Sequence, residues 1–130
     1  MKFSLAVYSA PYSAQSASSA LRFARVLLAQ GHEIYRVFFY CDGVQNGNSL
    51  TAPPQDETDL IAQWQELQRR YHLDLVICIA AAQRRGVLSE REAKRLEKPA
   101  ANLADGFELA GLGQLVDAVA HSERLVTFGG

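Results

Sequence analysis

Apolar positions along the chain change period several times, and each change marks an element. The run "KFSLAVY" (residues 2–8) is short, mostly apolar and followed by "SAPYS", which predicts a strand passing into a loop. Between residues 16 and 30, Ala17, Ala20, Leu21, Ala24, Leu27 and Leu28 recur at helical spacing, with Arg22 and Arg25 on the opposite face. Ser13 or Ser16 is placed to cap this helix and Gly31 to end it. "EIYRVFFY" predicts a second strand ending at Tyr40. "CDGVQNGNSLTAPPQ" carries turn signals at Asp42-Gly43 and Asn46-Gly47 and a stop at Pro53-Pro54. At about 15 residues it is expected to be a long irregular loop, a length class that often carries function. The next helix has Asp56, Glu57 and Asp59 expected in its first turn and Arg69 and Arg70 in its last, matching the macrodipole. Its apolar stripe is Leu60, Ile61, Trp64, Leu67 and Tyr71.

The second half opens on "LDLVICIAAA", the most apolar segment. It lacks the alternation of a half-exposed strand, so both faces are expected to be buried, as in a parallel sheet. "SEREAKRLE" predicts a short charged helix capped by Ser89. A short fourth strand is expected near residues 107–109. Leu112, Leu115, Val116 and Val119 then mark a helix, and "RLVTF" a last strand. Strands alternating with helices imply right-handed βαβ units. The expected architecture is therefore α/β: one three-layer domain over residues 1–130, with a mostly parallel sheet of about five strands flanked by helices in flavodoxin-like order.

Composition narrows the function classes. A net charge of −1 offers no electrostatic footprint for nucleic acid or an anionic membrane, so direct contact with either is not expected. The first apolar run, about six residues, is shorter than the core of a signal peptide, and no window approaches the roughly 20 apolar residues of a membrane span. The expected location is the cytoplasm, where cysteines stay reduced. With two cysteines (Cys41 and Cys78), no C-x-x-C and three scattered histidines (His32, His72, His121), no metal site is expected.

In an open α/β sheet, reactive groups collect beyond the carboxyl ends of the strands. Three loops are expected there: "SAPYSAQS", "CDGVQNGN" and the region after Cys78. Cys78 precedes "AAAQRRG", a segment suited to start a helix and carrying Arg84 and Arg85. Thiols at a helix start and beside cations are held more readily as thiolates, the nucleophilic form. A cysteine inside "LVICIA" is more often a small core hydrophobe, so local physics favours packing without deciding against chemistry. Cys41, beside Asp42, reads as incidental. "GLGQL" lacks the full dinucleotide fingerprint, and "SAPYSAQSASS" offers N–H groups to an anion without being a P-loop. A flavin-phosphate site at the latter is the alternative.

Taken together, "SSALRFARVLLAQGHEI", "RVFFYCDGVQNGN", "PPQDE", "VICIAAAQRRGV", "ANLADGFELAGLGQL" and "ERLVTF" resemble the TusD/DsrE family of sulfurtransferase subunits over nearly the whole chain. The resemblance implies a heterohexamer with TusB-like and TusC-like subunits, two copies of each. It puts the family's persulfide cysteine on Cys78 and implies no cofactor. TusD-type members take sulfur from a TusA-like carrier and pass it to a TusE-like acceptor, toward 2-thiouridine at the tRNA wobble position. DsrE-type members move sulfur in bacterial sulfur oxidation. Under this resemblance Arg84 and Arg85 either support the thiolate or dock a partner, or are plain surface charges. A non-catalytic structural subunit is the reading of another class.

Overall fold

Five short apolar segments become strands in a computed structural model that describes residues 1–129: β1 (Lys2–Val7), β2 (Glu33–Phe39), β3 (Leu75–Cys78), β4 (Phe107–Ala110) and β5 (Arg124–Phe128). Every neighbouring pair is parallel, and the sheet runs β4-β3-β2-β1-β5. The connecting helices are α1 (Gln15–Ala29), α2 (Leu60–Tyr71), α3 (Ile79–Arg84), α4 (Glu90–Arg95) and α5 (Gly113–His121). The α/β class with a five-stranded parallel sheet flanked by helices is as expected. The strand order is a correction: a flavodoxin-like order, 2-1-3-4-5, places β3 beside β1, whereas here β2 separates them. Strands β1 to β4 step in one direction and only the last crossover returns, seating β5 against β1. Right-handed crossovers in opposite directions put their helices on opposite faces. Thus α1 and α2 pack together on one face, and α5 lies across β1, β2 and β5 on the other.

The stripes read from the sequence for α1 and α2 face the core as expected, whereas Leu112, Val116 and Val119 around α5 are exposed. Ala17, Ala20, Leu21, Ala24 and Leu27 of α1 are buried, as are Leu60, Ile61, Trp64 and Leu67 of α2. Trp64 is fully buried and meets Phe39 edge-on, ring centroids 5.4 Å apart. Deleting a ring of this kind costs about 3–5 kcal/mol. Gly31 ends α1 at φ +84°, a conformation that suits glycine. Ser89 caps α4 as expected, accepting from the Glu92 N–H, but the caps of α1 and α2 differ from expectation. Ala14, with no side-chain bond, is the N-cap of α1, and the Ser16 hydroxyl instead donates to Ser9. Asp56 and Glu57 lie ahead of α2, because the Asp59 carboxylate takes the N-cap position and accepts from the Ala62 N–H.

Two further segments depart from expectation. Residues 41–47 are not irregular: Cys41–Gly47 is a 3-10 helix with Gly43, Val44, Asn46 and Gly47 buried. Gly43 permits this, since a Cβ there would stand 2.0 Å from the Val7 carbonyl oxygen. The Asn46 amide donates to the carbonyls of Ser9 and Gly43. The third strand stops at Cys78, because Ile79 already begins α3 and Ala81 and Ala82 are buried as helix residues. A register slip between Phe3 and Ser4 leaves Tyr35 as an extra residue in β2, a β-bulge. Tyr35 and Arg36 consequently both turn toward α5, where each bonds Asp117.

Candidate functional site

The carboxyl edge of the sheet is where the chain gathers its loops. Asn46 ties the 3-10 helix to the loop after β1 through Ser9. Gln45 donates to the Arg85 carbonyl (3.2 Å), and the Asp42 carboxylate accepts from the Arg85 Nε (2.8 Å), joining the same helix to the end of α3. Asn102 extends the set by donating to the Asn48 side chain and the Gly86 carbonyl. The three loops expected at this edge are thus brought together.

Cys78 is the last residue of β3 and the N-cap of α3. Its side chain makes no capping bond, and the residue is 2% exposed. The first N–H groups of a helix lack partners within that helix, yet the Cys78 side chain accepts from none of them. Cys78 pairs with Ala110 across β4. Cys41, half-buried, begins the 3-10 helix with φ +52°, and both thiols are free. The two arginines are placed differently from each other. Arg85 caps the far end of α3, bound to Asp42 and to the Ala81 carbonyl (3.2 Å). Arg84 is exposed and forms no ion pair among the described residues. A helix rises about 1.5 Å per residue, so the six-residue α3 carries both guanidinium-bearing residues roughly 9 Å along the axis from the thiol.

Two aromatic residues at this edge were not singled out from the sequence. Tyr8 and Tyr40 each directly follow a strand, and their rings meet edge-on with centroids 5.8 Å apart. The only sequence signal for them is position, an aromatic one step beyond the apolar run in both "LAVY" and "VFFY".

Other polar clusters serve the fold. Arg36 donates from Nε to Asp74 (2.7 Å) and from Nη1 to Asp117 (2.9 Å) and the Gln114 carbonyl (2.8 Å). The Tyr35 hydroxyl, then Arg36, holds the Asp117 carboxyl below its usual range. Glu92 is pulled down to about 2 by the Arg95 guanidinium, with help from Gln83. His121 joins the Asp117 group, His32 meets the N-terminus and His72 is the C-cap of α2. Among the described residues no three His, Cys, Asp or Glu side chains converge as metal ligands. A cleft of about 520 Å³ lies at the start of α1, lined by Tyr12, Ser13, Ser18, Asp56 and Glu57 among others. Its two carboxylates disfavour the phosphate that a flavin would bring there. No helix among the described residues is long and apolar enough to cross a membrane.

The carboxyl edge of this α/β sheet holds two free thiols, Cys41 after β2 and Cys78 at the end of β3. The DsrE/DsrF-like family model matches residues 1–128, and the chain belongs to that family. It is 52% identical over 130 residues to the sulfurtransferase TusD homolog of Pseudomonas aeruginosa, covering 100% of this chain and 98% of the relative. It is 50% identical over 128 residues to the sulfurtransferase TusD of Salmonella dublin (98% and 100% covered). It is 51% identical over 129 residues to the DsrE of Allochromatium vinosum (99% of each covered). By these relatives the chain is an enzyme of the sulfurtransferase class. The crystal structure of the ychN protein of E. coli superposes with a TM-score of 0.78 over 98% of this chain and 99% of that one, at 24% identity, which establishes the shared fold.

Proposed function

We propose that the chain is a sulfur-relay subunit that carries sulfane sulfur as a persulfide on Cys78. The observation that carries this reading is the position of Cys78 at the carboxyl end of β3, in a chain half-identical to sulfurtransferases. The Cys78 thiolate attacks the outer sulfur of a donor persulfide. The donor S–S bond breaks as the new one forms, and the donor thiolate leaves. An acceptor thiolate repeats the exchange on Cys78–S–SH and regenerates the thiol, with no net oxidation. The donor is a TusA-like carrier and the acceptor a TusE-like protein, on the route to tRNA wobble 2-thiouridine. Assembly with TusB-like and TusC-like subunits, two copies of each, is part of the proposal. Its support is the apolar surface formed by Leu112, Val116 and Val119 around α5 with Leu125 of β5, all exposed. Arg84 is free to dock an acidic segment of a partner, whereas Arg85 fastens α3 to the 3-10 helix.

The test loads the protein with a persulfide donor and locates the added sulfur by mass spectrometry. One extra sulfur on Cys78 is expected. Sulfur on Cys41 defeats the assignment to Cys78, and none on this chain leaves a structural subunit. Similarity to DsrE at 51% favours a second reading, the same chemistry serving sulfur oxidation. Deletion separates the two: loss of tRNA 2-thiouridine supports the first, and intact thiolation with failed sulfur oxidation the second.

A further inference from the structure

Strands β2 and β3 pair through Phe38 with Val76 and Phe39 with Ile77. One step beyond, Tyr40 stands level with Cys78. Both keep extended backbones, φ −133° and ψ 163° at Tyr40, φ −63° and ψ 118° at Cys78. The alternation of faces therefore continues, and Tyr40 shares the face of Cys78 across a strand spacing of about 4.8 Å. Phe38, fully buried on the same face, supports the Tyr40 ring from below at 6.3 Å. Tyr8 closes the row from β1: the Tyr40 N–H donates to the Val7 carbonyl, and the two tyrosine rings touch edge to face. The hydroxyls of Tyr12 and Tyr35 are engaged by Thr58 and Asp117. Those of Tyr8 and Tyr40 bond no group among the described residues.

A persulfide extends Sγ by one sulfur, about 2.05 Å away, and its terminal sulfur bears the charge when ionised. An anion in an apolar setting needs a donor. Arg85 is committed to Asp42, and Arg84 lies at the distal end of α3. We infer that the Tyr40 hydroxyl is that donor: it hydrogen-bonds the terminal sulfur of the Cys78 persulfide, selects a sulfane sulfur as the cargo and aims it at the acceptor, with Tyr8 bracing the ring. The inference rests on Cys78 as the carrier. During transfer the acceptor thiolate bonds the terminal sulfur, the Cys78 S–S bond breaks, and its electron pair returns to Sγ. Tyr40 keeps its proton throughout.

The experiment titrates the full chain with inorganic polysulfide between about pH 5 and pH 9 and reads sulfur on Cys78 by mass spectrometry, for the native protein, Tyr40→Phe and Cys78→Ser. Tyr40→Phe keeps the ring and removes the donor. It is expected to need about tenfold more polysulfide for half-loading at the alkaline end, where the persulfide is ionised, and to converge with the native protein at the acid end. Identical curves at every pH overturn the assignment, and so does a deficit independent of pH, which marks lost packing. Failure of the native chain to load Cys78, or equal loading of Cys78→Ser, removes the carrier itself and the Tyr40 role with it.

Discussion

In the lower half of the sheet, Arg36, Asp74, Asp117, Tyr35 and His121 form a charged and fully paired group that straps α5 onto β2. At the carboxyl ends of β2 and β3 the neighbours of Cys78 are apolar or aromatic, and its side chain makes no capping bond. The charged cluster is the one that a search for ionisable groups finds first, yet every partner in it is used up in holding an element. This helix needs the help, since Ala118 is its one buried residue. The edge proposed for chemistry instead holds a thiol and two phenol groups without hydrogen-bond partners among the described residues.

That division can be broken from either end. The largest effect expected is from Cys78→Ala, which abolishes sulfur loading while changing stability by about 1 kcal/mol in chemical denaturation, as for loss of one small buried group. Gly43→Ala drives a methyl into the Val7 carbonyl, 2.0 Å from the new carbon, and costs about 3 kcal/mol in the same measurement as β1 and the 3-10 helix are pushed apart. Arg36→Met acts at the other end. It removes three hydrogen bonds around a side chain 11% exposed and lowers stability by about 2 kcal/mol, with sulfur loading by mass spectrometry unchanged. The smallest effect is pH-dependent. The folded-state value of Glu92, about 2, lies below its ordinary 4.5, so its contribution is complete above the ordinary value and is lost as pH falls from there through about 2. Glu92→Gln should therefore flatten the fall in melting temperature across that interval, and an unchanged acid limb would contradict the role given to Arg95.

Local patterns predicted the elements whose apolar positions keep one period. The stripes of α1 and α2 and the strand "RLVTF" needed nothing beyond spacing. The end of β3 was not legible, because "LVICIAAA" is apolar on both sides of the strand-to-helix switch and only burial of Ala81 and Ala82 as helix residues reveals it. The 3-10 helix was hidden for a related reason. Its Gly and Asn residues signal turns, and their burial depends on Val7 and Ser9 from distant parts of the chain. Strand order is equally remote from local pattern, since the same elements serve either order. Cys78 was visible as a residue at the right edge, and Arg84 and Arg85 as charges near it in sequence. Three-dimensional placement then sent Arg85 to Asp42 and brought Tyr40 level with the thiol from the neighbouring strand.

For the persulfide proposed on Cys78, the 2% exposure of that residue has a consequence for sulfur traffic. Free thiols strip persulfides by colliding with them, and a cargo kept behind a protein surface is struck only when that surface opens. Leakage from such a store follows the frequency of opening rather than the abundance of scavenging thiols. Delivery then depends on a protein shaped to lift the cover, so the seclusion that protects the cargo also chooses its recipient.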